Sequence, residues 1–193
     1  MNIAERVLCS IDDAGSGKLL AALQHACTAI DGTGSKLFPG LGVRDRFIKT
    51  FENYIWVIEP MFAVGINLDE TIFKWITLKS KQSKFSEIIY EIFRCNLAHG
   101  TELPSGFKVE LRSSNEYRTM ELGQQVLNMP DTIIFALLAV AVFSTVNGDQ
   151  KINRDYWLSC GETKFIIDQW WGRENDAKKY FNTLKLPRVK IEF

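Results

Sequence analysis

Apolar residues recur along the chain in two rhythms, one near the 3.6-residue helical period and one strictly alternating, and the helical rhythm dominates. Leu19, Leu20, Leu23, Ala26, Cys27 and Ile30 mark one face of a helix that Asp31-Gly32-Thr33-Gly34 is expected to end. After the loop Phe38-Pro39-Gly40-Leu41-Gly42, a second face is carried by Phe47, Phe51, Tyr54, Ile55 and Ile58, with Pro60 terminating or kinking the helix. A short apolar segment around Phe73 and Trp75 leads into the basic connector Lys79-Ser80-Lys81-Gln82-Ser83-Lys84. The next helix places Phe85, Ile88, Ile89, Ile92 and Asn96 on one side, with Ser83 as its N-cap and Gly100 as its stop.

Alternation takes over after Pro104-Ser105-Gly106. Phe107, Val109 and Leu111 face one way and Lys108 and Glu110 the other, which predicts a strand forming one arm of a small hairpin. Thr132 to Val146 is apolar on every side, so it is expected as a helix at the centre of the fold, closed by Asn147-Gly148. The tail reads as strand-like Tyr156-Trp157-Leu158 and Phe165-Ile166-Ile167, a helix from Arg173 to Leu184, and a final strand with Val189, Ile191 and Phe193 inward. The pattern predicts one domain over residues 1–193, mainly α, a helical bundle with a minor β element around 106–119 and 188–193.

Composition adjusts this picture little. With 46% hydrophobic residues the chain carries enough apolar side chain for one core without disulfides or metals. Lys plus Arg and Asp plus Glu are equal at 23 each, so no global field draws it to nucleic acid or lipid. Cys9, Cys27, Cys95 and Cys160 are scattered with no CxxC pair, which suits reduced thiols rather than a disulfide framework or zinc set. The N-terminus lacks a basic start and apolar run, and Ile133–Val146 is well short of the ~20 residues that span a bilayer. A cytoplasmic location with no membrane partner is therefore expected.

Several chemical signatures fail. Gly15-Ser16-Gly17-Lys18 has Asp12 where a phosphate loop needs its first glycine and Leu19 where it needs Ser or Thr. The chain holds two histidines, His25 and His99, so no His-rich metal site can form, and neither metal nor cofactor is expected. His25 lies off the apolar face of its helix and reads as solvated, leaving His99 as the candidate for proton transfer. Trp170-Trp171 must send one indole away from the core, a candidate contact surface.

The string Arg94-Cys95-Asn96-Leu97-Ala98-His99-Gly100, an arginine followed after a gap of four by a histidine near a helix end, resembles the signature of the HEPN superfamily. The likeness extends upstream through Cys27-Thr28-Ala29-Ile30-Asp31 and Val43-Arg44-Asp45-Arg46-Phe47-Ile48. It implies a HEPN-like bundle, a homodimer, and a metal-independent endoribonuclease of toxin or phage-defence type with Arg94, His99 and Asn96 at the site. An antitoxin-like protein would then be a partner.

The residue types suit that chemistry. Imidazole can exchange a proton with the ribose 2′-hydroxyl or the leaving oxygen near neutral pH, and guanidinium offers a forked permanent charge to the phosphate. Only RNA brings the internal hydroxyl. Lys79, Lys81 and Lys84, preceding the motif helix without an acid among them, form a candidate RNA-binding cluster. On a regular helix five steps set His99 roughly 140° from Arg94. Arg94 should then point away from the apolar stripe and His99 lean toward it, so a site needs the helix to end early or a second subunit to complete it. Two other readings stand beside the nuclease: a non-catalytic homodimeric HEPN-type module that binds a protein or nucleic acid, and a capped histidine with a solvated arginine that carry no function.

Overall fold

The computed structural model describes residues 2–79, 84–111, 120–123 and 125–191. The chain opens with α1 (Ile3–Gly15), an element that the periodicity reading passed over although its start signal is plain. The Asn2 side chain accepts a hydrogen bond from the Glu5 backbone N–H, and the Glu5 carboxylate accepts one from the Asn2 N–H, each at 2.8 Å. Helix α2 (Leu19–Leu37) packs along α1 and runs straight through the expected stop at Asp31-Gly32-Thr33-Gly34.

Packing explains why those glycines do not break the helix. A Cβ on Gly34 would lie 2.6 Å from Thr50 Oγ1 and 3.0 Å from the Arg46 carbonyl of α3 (Val43–Asn53), so Gly34 permits close approach of two helices. The second predicted helix is two: α3 ends at Tyr54, and α4 (Ile55–Phe62) begins at once with Pro60 inside it. The Tyr54 hydroxyl, at that break, lies within hydrogen-bond distance of Ser144 Oγ and the Glu174 carboxylate.

Helix α7 (Thr132–Phe143) is the centre of the fold. All of its residues but Phe135 are buried, and the helix packs against α2 and α4. It stops at Phe143, short of the predicted Val146, because Ser144 turns out of helical geometry into a single 3-10 turn, Thr145–Asn147. The buried Asn147 amide donates to Thr33 Oγ1 and to the Ala141 carbonyl, which ties this turn to α2. Helices α8 (Ile167–Trp170) and α9 (Glu174–Thr183) complete the shell.

The β structure is more extensive than a hairpin. Strands β2 (Phe107–Glu110), β3 (Glu121–Gly123) and β4 (Val126–Pro130) form a three-stranded sheet in the order β2-β4-β3. In it β2 pairs parallel to β4, with Phe107 opposite Leu127, so β2 is not the hairpin arm expected; residues 112–119 of the predicted element lie outside the described residues. Strands β5 (Trp157–Cys160) and β6 (Thr163–Ile166) make the tail hairpin. The two-residue β1 (Gly65–Ile66) pairs parallel with β7 (Arg188–Val189). Val189 is 58% exposed rather than inward, because what anchors β7 is polar: Arg188 donates to the buried Glu59 carboxylate at 2.7 Å and to Asn67 Oδ1 at 3.0 Å. Phe193 lies outside the described residues.

The fold is thus mainly α with a few small sheets, and its buried apolar residues form one contiguous cluster. No helix among the described residues is long and apolar enough to cross a membrane.

Candidate functional site

The motif segment is one continuous run of helix in three parts: α5 (Phe85–Ile88), a π-helical turn Ile89–Arg94, and α6 (Cys95–Ala98). The Cys95 N–H donates to the Tyr90 carbonyl five residues back, which admits one extra residue to the turn. The buried stripe begins as the spacing predicts, with Phe85, Ile88 and Ile89, but continues through Phe93 and Leu97 instead of Ile92 and Asn96. One extra residue rotates everything after it by about 100°.

That rotation reverses the expected directions of the two motif residues. Arg94 turns toward α2, where its Nε and Nη2 both donate to Asp31 Oδ2, at 2.9 and 2.8 Å. Its guanidinium also lies 5.5 Å from the Tyr90 ring centroid. His99 turns outward, exposed, and its ring makes no hydrogen bond to a described residue.

The helix end that carries His99 is closed by backbone geometry. Gly100 takes φ +67°, the Thr101 N–H donates to the Asn96 carbonyl at 3.0 Å, and the Gly100 N–H donates to the Leu97 carbonyl at 3.2 Å. This pairing satisfies the last carbonyls of the helix and fixes where His99 emerges. Asn96 serves the same end: its amide donates to the Ile92 carbonyl at 2.7 Å, and its Oδ1 accepts from the Thr101 hydroxyl at 3.1 Å. It stands beside the pair as a brace.

Electrostatics keep Arg94 charged. Burial is the largest influence and works against its charge, but the hydrogen bond to Asp31 together with the charge of Asp31 and the neighbouring Tyr90 and Cys95 outweighs it, and the guanidinium pKa stays above the ordinary value. Burial also raises Asp31, against the pull of Arg94. Cys27, behind the pair, is a fully buried thiol that desolvation pushes far up, so it is inert. Two N–H groups of Arg94 are committed to Asp31, while Nη1 makes no bond to a described residue.

Asp31 also lines a groove of about 400 Å³ between α1, α2 and α3 whose wall holds three cations, Arg6, Lys36 and Arg46. The Nε atoms of Arg6 and Arg46 are buried with no hydrogen-bond partner among the described residues. The sequence reading missed this groove: Arg46 stood in the quoted upstream string, but nothing in the linear order shows that α1 and α3 bring it beside Arg6. His25, read as solvated, is half-buried and bonded to Arg6. Arg6 Nη1 lies 3.1 Å from His25 Nδ1, and because guanidinium can only donate, Nδ1 must be the acceptor and the ring neutral. Burial lowers the His25 pKa, Arg6 lowers it further, and Asp13 at 3.6 Å opposes them.

The predicted lysine cluster does not stand free of acids. Lys84 Nζ is 3.7 Å from Glu52, and the Lys79 backbone N–H donates to Glu91 at 2.9 Å; Lys81 lies outside the described residues. Nearby, Arg44 pairs with the buried Glu87 carboxylate and sits 3.9 Å from Glu91. The Trp170-Trp171 pair is absorbed rather than offered: Trp171 is buried, and Trp170 packs edge-on to Phe165 with the Arg173 guanidinium 4.5 Å from its ring centroid. Among the described residues no group of three or more His, Cys, Asp or Glu is placed to hold a metal ion.

Comparison with known proteins places the whole arrangement in one family. The chain is 31% identical over 178 residues to the protein Rv1289 of Mycobacterium tuberculosis (strain ATCC 25618 / H37Rv) and, at the same identity, to Mb1320 of Mycobacterium bovis; each match covers 89% of this chain and 84% of the relative. No solved structure matches it. The Rv1289 family model matches residues 2–193, and the chain belongs to that family.

Proposed function

We propose that the chain is a metal-independent endoribonuclease that works as a homodimer, with His99 as the proton-transfer group and Arg94 as the cation that holds the phosphate. The observation that carries this reading is a fixed guanidinium and an exposed imidazole, with no hydrogen bond to a described residue, on one helix end. An imidazole exposed at a helix end is within reach of a substrate or of a second copy of the chain.

In the reaction, imidazole takes the proton of the ribose 2′-hydroxyl, the 2′-oxygen attacks phosphorus, and the bond to the 5′-oxygen breaks as that oxygen receives the proton from the imidazolium so formed. Arg94, oriented by Asp31 and Tyr90, offers Nη1 to the charge that grows on the phosphate. His99 faces out while Arg94 is held inward, so a second copy is needed to bring an Arg94 and a His99 onto one phosphodiester. The cationic groove at Arg6, Lys36 and Arg46 supplies charge along which a nucleic-acid backbone can run.

A specific observation favours a second reading, a binding module that does not cut: the Arg94–Asp31 pair is also what a purely structural pin looks like. Incubation with RNA in EDTA separates the two. The nuclease should release fragments ending in 2′,3′-cyclic phosphate and 5′-hydroxyl; His99→Ala should abolish the cutting and Arg94→Lys should lose most of it, since an ammonium does not reproduce the fork. RNA bound without cleavage, in a salt-dependent way, would leave the module reading, and cleavage untouched by either substitution would end the Arg94–His99 assignment.

A further inference from the structure

A second cavity, of about 320 Å³, opens where the start of α7 meets the β5 strand and α1. It shares no lining residue with the cationic groove and is independent of the Arg94–His99 reading. Its volume is at the lower end of what small-molecule pockets offer, about 300–1,000 Å³.

The lining is of two kinds. Ile11, Phe135, Tyr156 and Trp157 give an apolar wall rich in aromatic rings, and Asp131 and Thr132 give a polar floor. That floor is unsatisfied. Among the described residues Asp131 Oδ1 is buried without a hydrogen-bond partner, and so is Thr132 Oγ1, on a residue only 8% exposed. Asp131 precedes α7 but makes no capping bond with its side chain, so the carboxylate is not used by its own helix. A buried acceptor left unpaired costs free energy, and a donor arriving with a ligand would recover it.

Charge narrows the ligand further. Asp131 brings the one carboxyl group to the lining, and no Lys, Arg or His takes part. The helix dipole at the start of α7 offsets part of its charge, but not a full unit. Aromatic faces beside a carboxylate suit a positive charge carried on an apolar body. Trp157, 50% exposed, stands at the rim with Lys164 Nζ 4.2 Å from its ring centroid, so that indole already holds one ammonium. Tyr156 is held in place by its hydroxyl, which donates to Asp12 at 2.6 Å.

We propose that this cavity binds a small organic amine with an aromatic or apolar body, its ammonium on Asp131 and Thr132 and its body against Phe135, Tyr156 and Trp157. Calorimetric titration of the full chain with phenethylammonium, with the neutral 2-phenylethanol and with the anionic phenylacetate tests it. The amine should bind about tenfold more tightly than the alcohol, as one charge-assisted hydrogen bond would give, and phenylacetate should not bind. Asp131→Asn should bring amine and alcohol to equal affinity, and Trp157→Ala, at an exposed position that leaves the core untouched, should weaken both. Equal binding of amine and alcohol to the wild type, no saturable binding of the amine, or amine binding unchanged in Asp131→Asn would each overturn the proposal. Should Asp131→Asn fail to fold, the discrimination by the wild type and the loss in Trp157→Ala decide the matter.

Discussion

Replacing Asp31 by Asn tests whether the motif arginine is held by α2. The change keeps the shape of the side chain and removes its charge, leaving Arg94 with a neutral acceptor in place of the oxygen that takes both of its bonds. The Arg94 and Asp31 side chains are 20% and 15% exposed, so the pair is screened by water more than a buried one and less than a surface one. Exposed pairs contribute about 0–1 kcal/mol and breaking a fully buried pair costs about 3–5 kcal/mol, which brackets the cost here at about 1–3 kcal/mol. For a chain of this length each kcal/mol moves the melting temperature by about 2–4 °C, so Asp31→Asn should melt roughly 2–12 °C lower. Thermal denaturation followed by circular dichroism reads the shift. Arg94→Gln should fall by a similar amount, and the double variant should be no worse than the poorer single one, with a coupling of about 1 kcal/mol or more. Single variants that both melt within about a degree of wild type, with no coupling, would refute the idea that Asp31 orients Arg94, and with it the role given to that arginine as a preset phosphate cation.

Two further outcomes follow from the core and from the cationic groove. Leu138→Ala, at a fully buried position of α7, should cost about 2–5 kcal/mol by leaving a cavity that the surrounding helices cannot close, measured by denaturant unfolding. His25 is held below its ordinary 6.5 by burial and Arg6, so the stability it contributes is fully present above that pH and is lost as pH falls from it toward the folded value. Melting temperatures across that window should decline in the wild type and flatten in His25→Gln; an unchanged slope would mean that His25 titrates as it does in the unfolded chain.

The parts of the fold that a local pattern determines were legible. The all-round apolar run at Thr132 predicted a central helix, and α7 is that helix, because a segment with no polar face has no stable position except inside. The alternation at Phe107 predicted a strand, and β2 buries Phe107 and Val109, while Leu111, expected on the same face, lies past its end and is 63% exposed. What failed depended on partners distant in sequence. Gly32 and Gly34 look like a helix stop when read alone, yet α2 continues because α3 closes on Gly34 and supplies more packing than the glycines cost in propensity. The pairing of β2 with β4 in parallel, and the seating of β7 on β1 by Arg188 and Glu59, are tertiary choices that no run of apolar residues encodes.

The candidate site illustrates the same division at the scale of one helix. The spacing of Arg94 and His99 was visible, but their directions depend on a single extra residue in the turn between Ile89 and Arg94. A strict 3.6-residue wheel has no place for it, and the predicted stripe therefore drifted onto Ile92 and Asn96 while the real one passed to Phe93 and Leu97. A π-helical turn forgoes the tighter hydrogen bonding of the α-helix and persists only where its surroundings reward it. Here the reward is identifiable: the turn brings Phe93 into the core against Phe107, and it swings Arg94 onto Asp31. Asn96, the residue displaced from the stripe, then uses its amide on the Ile92 carbonyl and its oxygen on Thr101. The distortion, the ion pair and the outward histidine are thus one arrangement, in which fixing Arg94 inward is what leaves His99 alone at the surface.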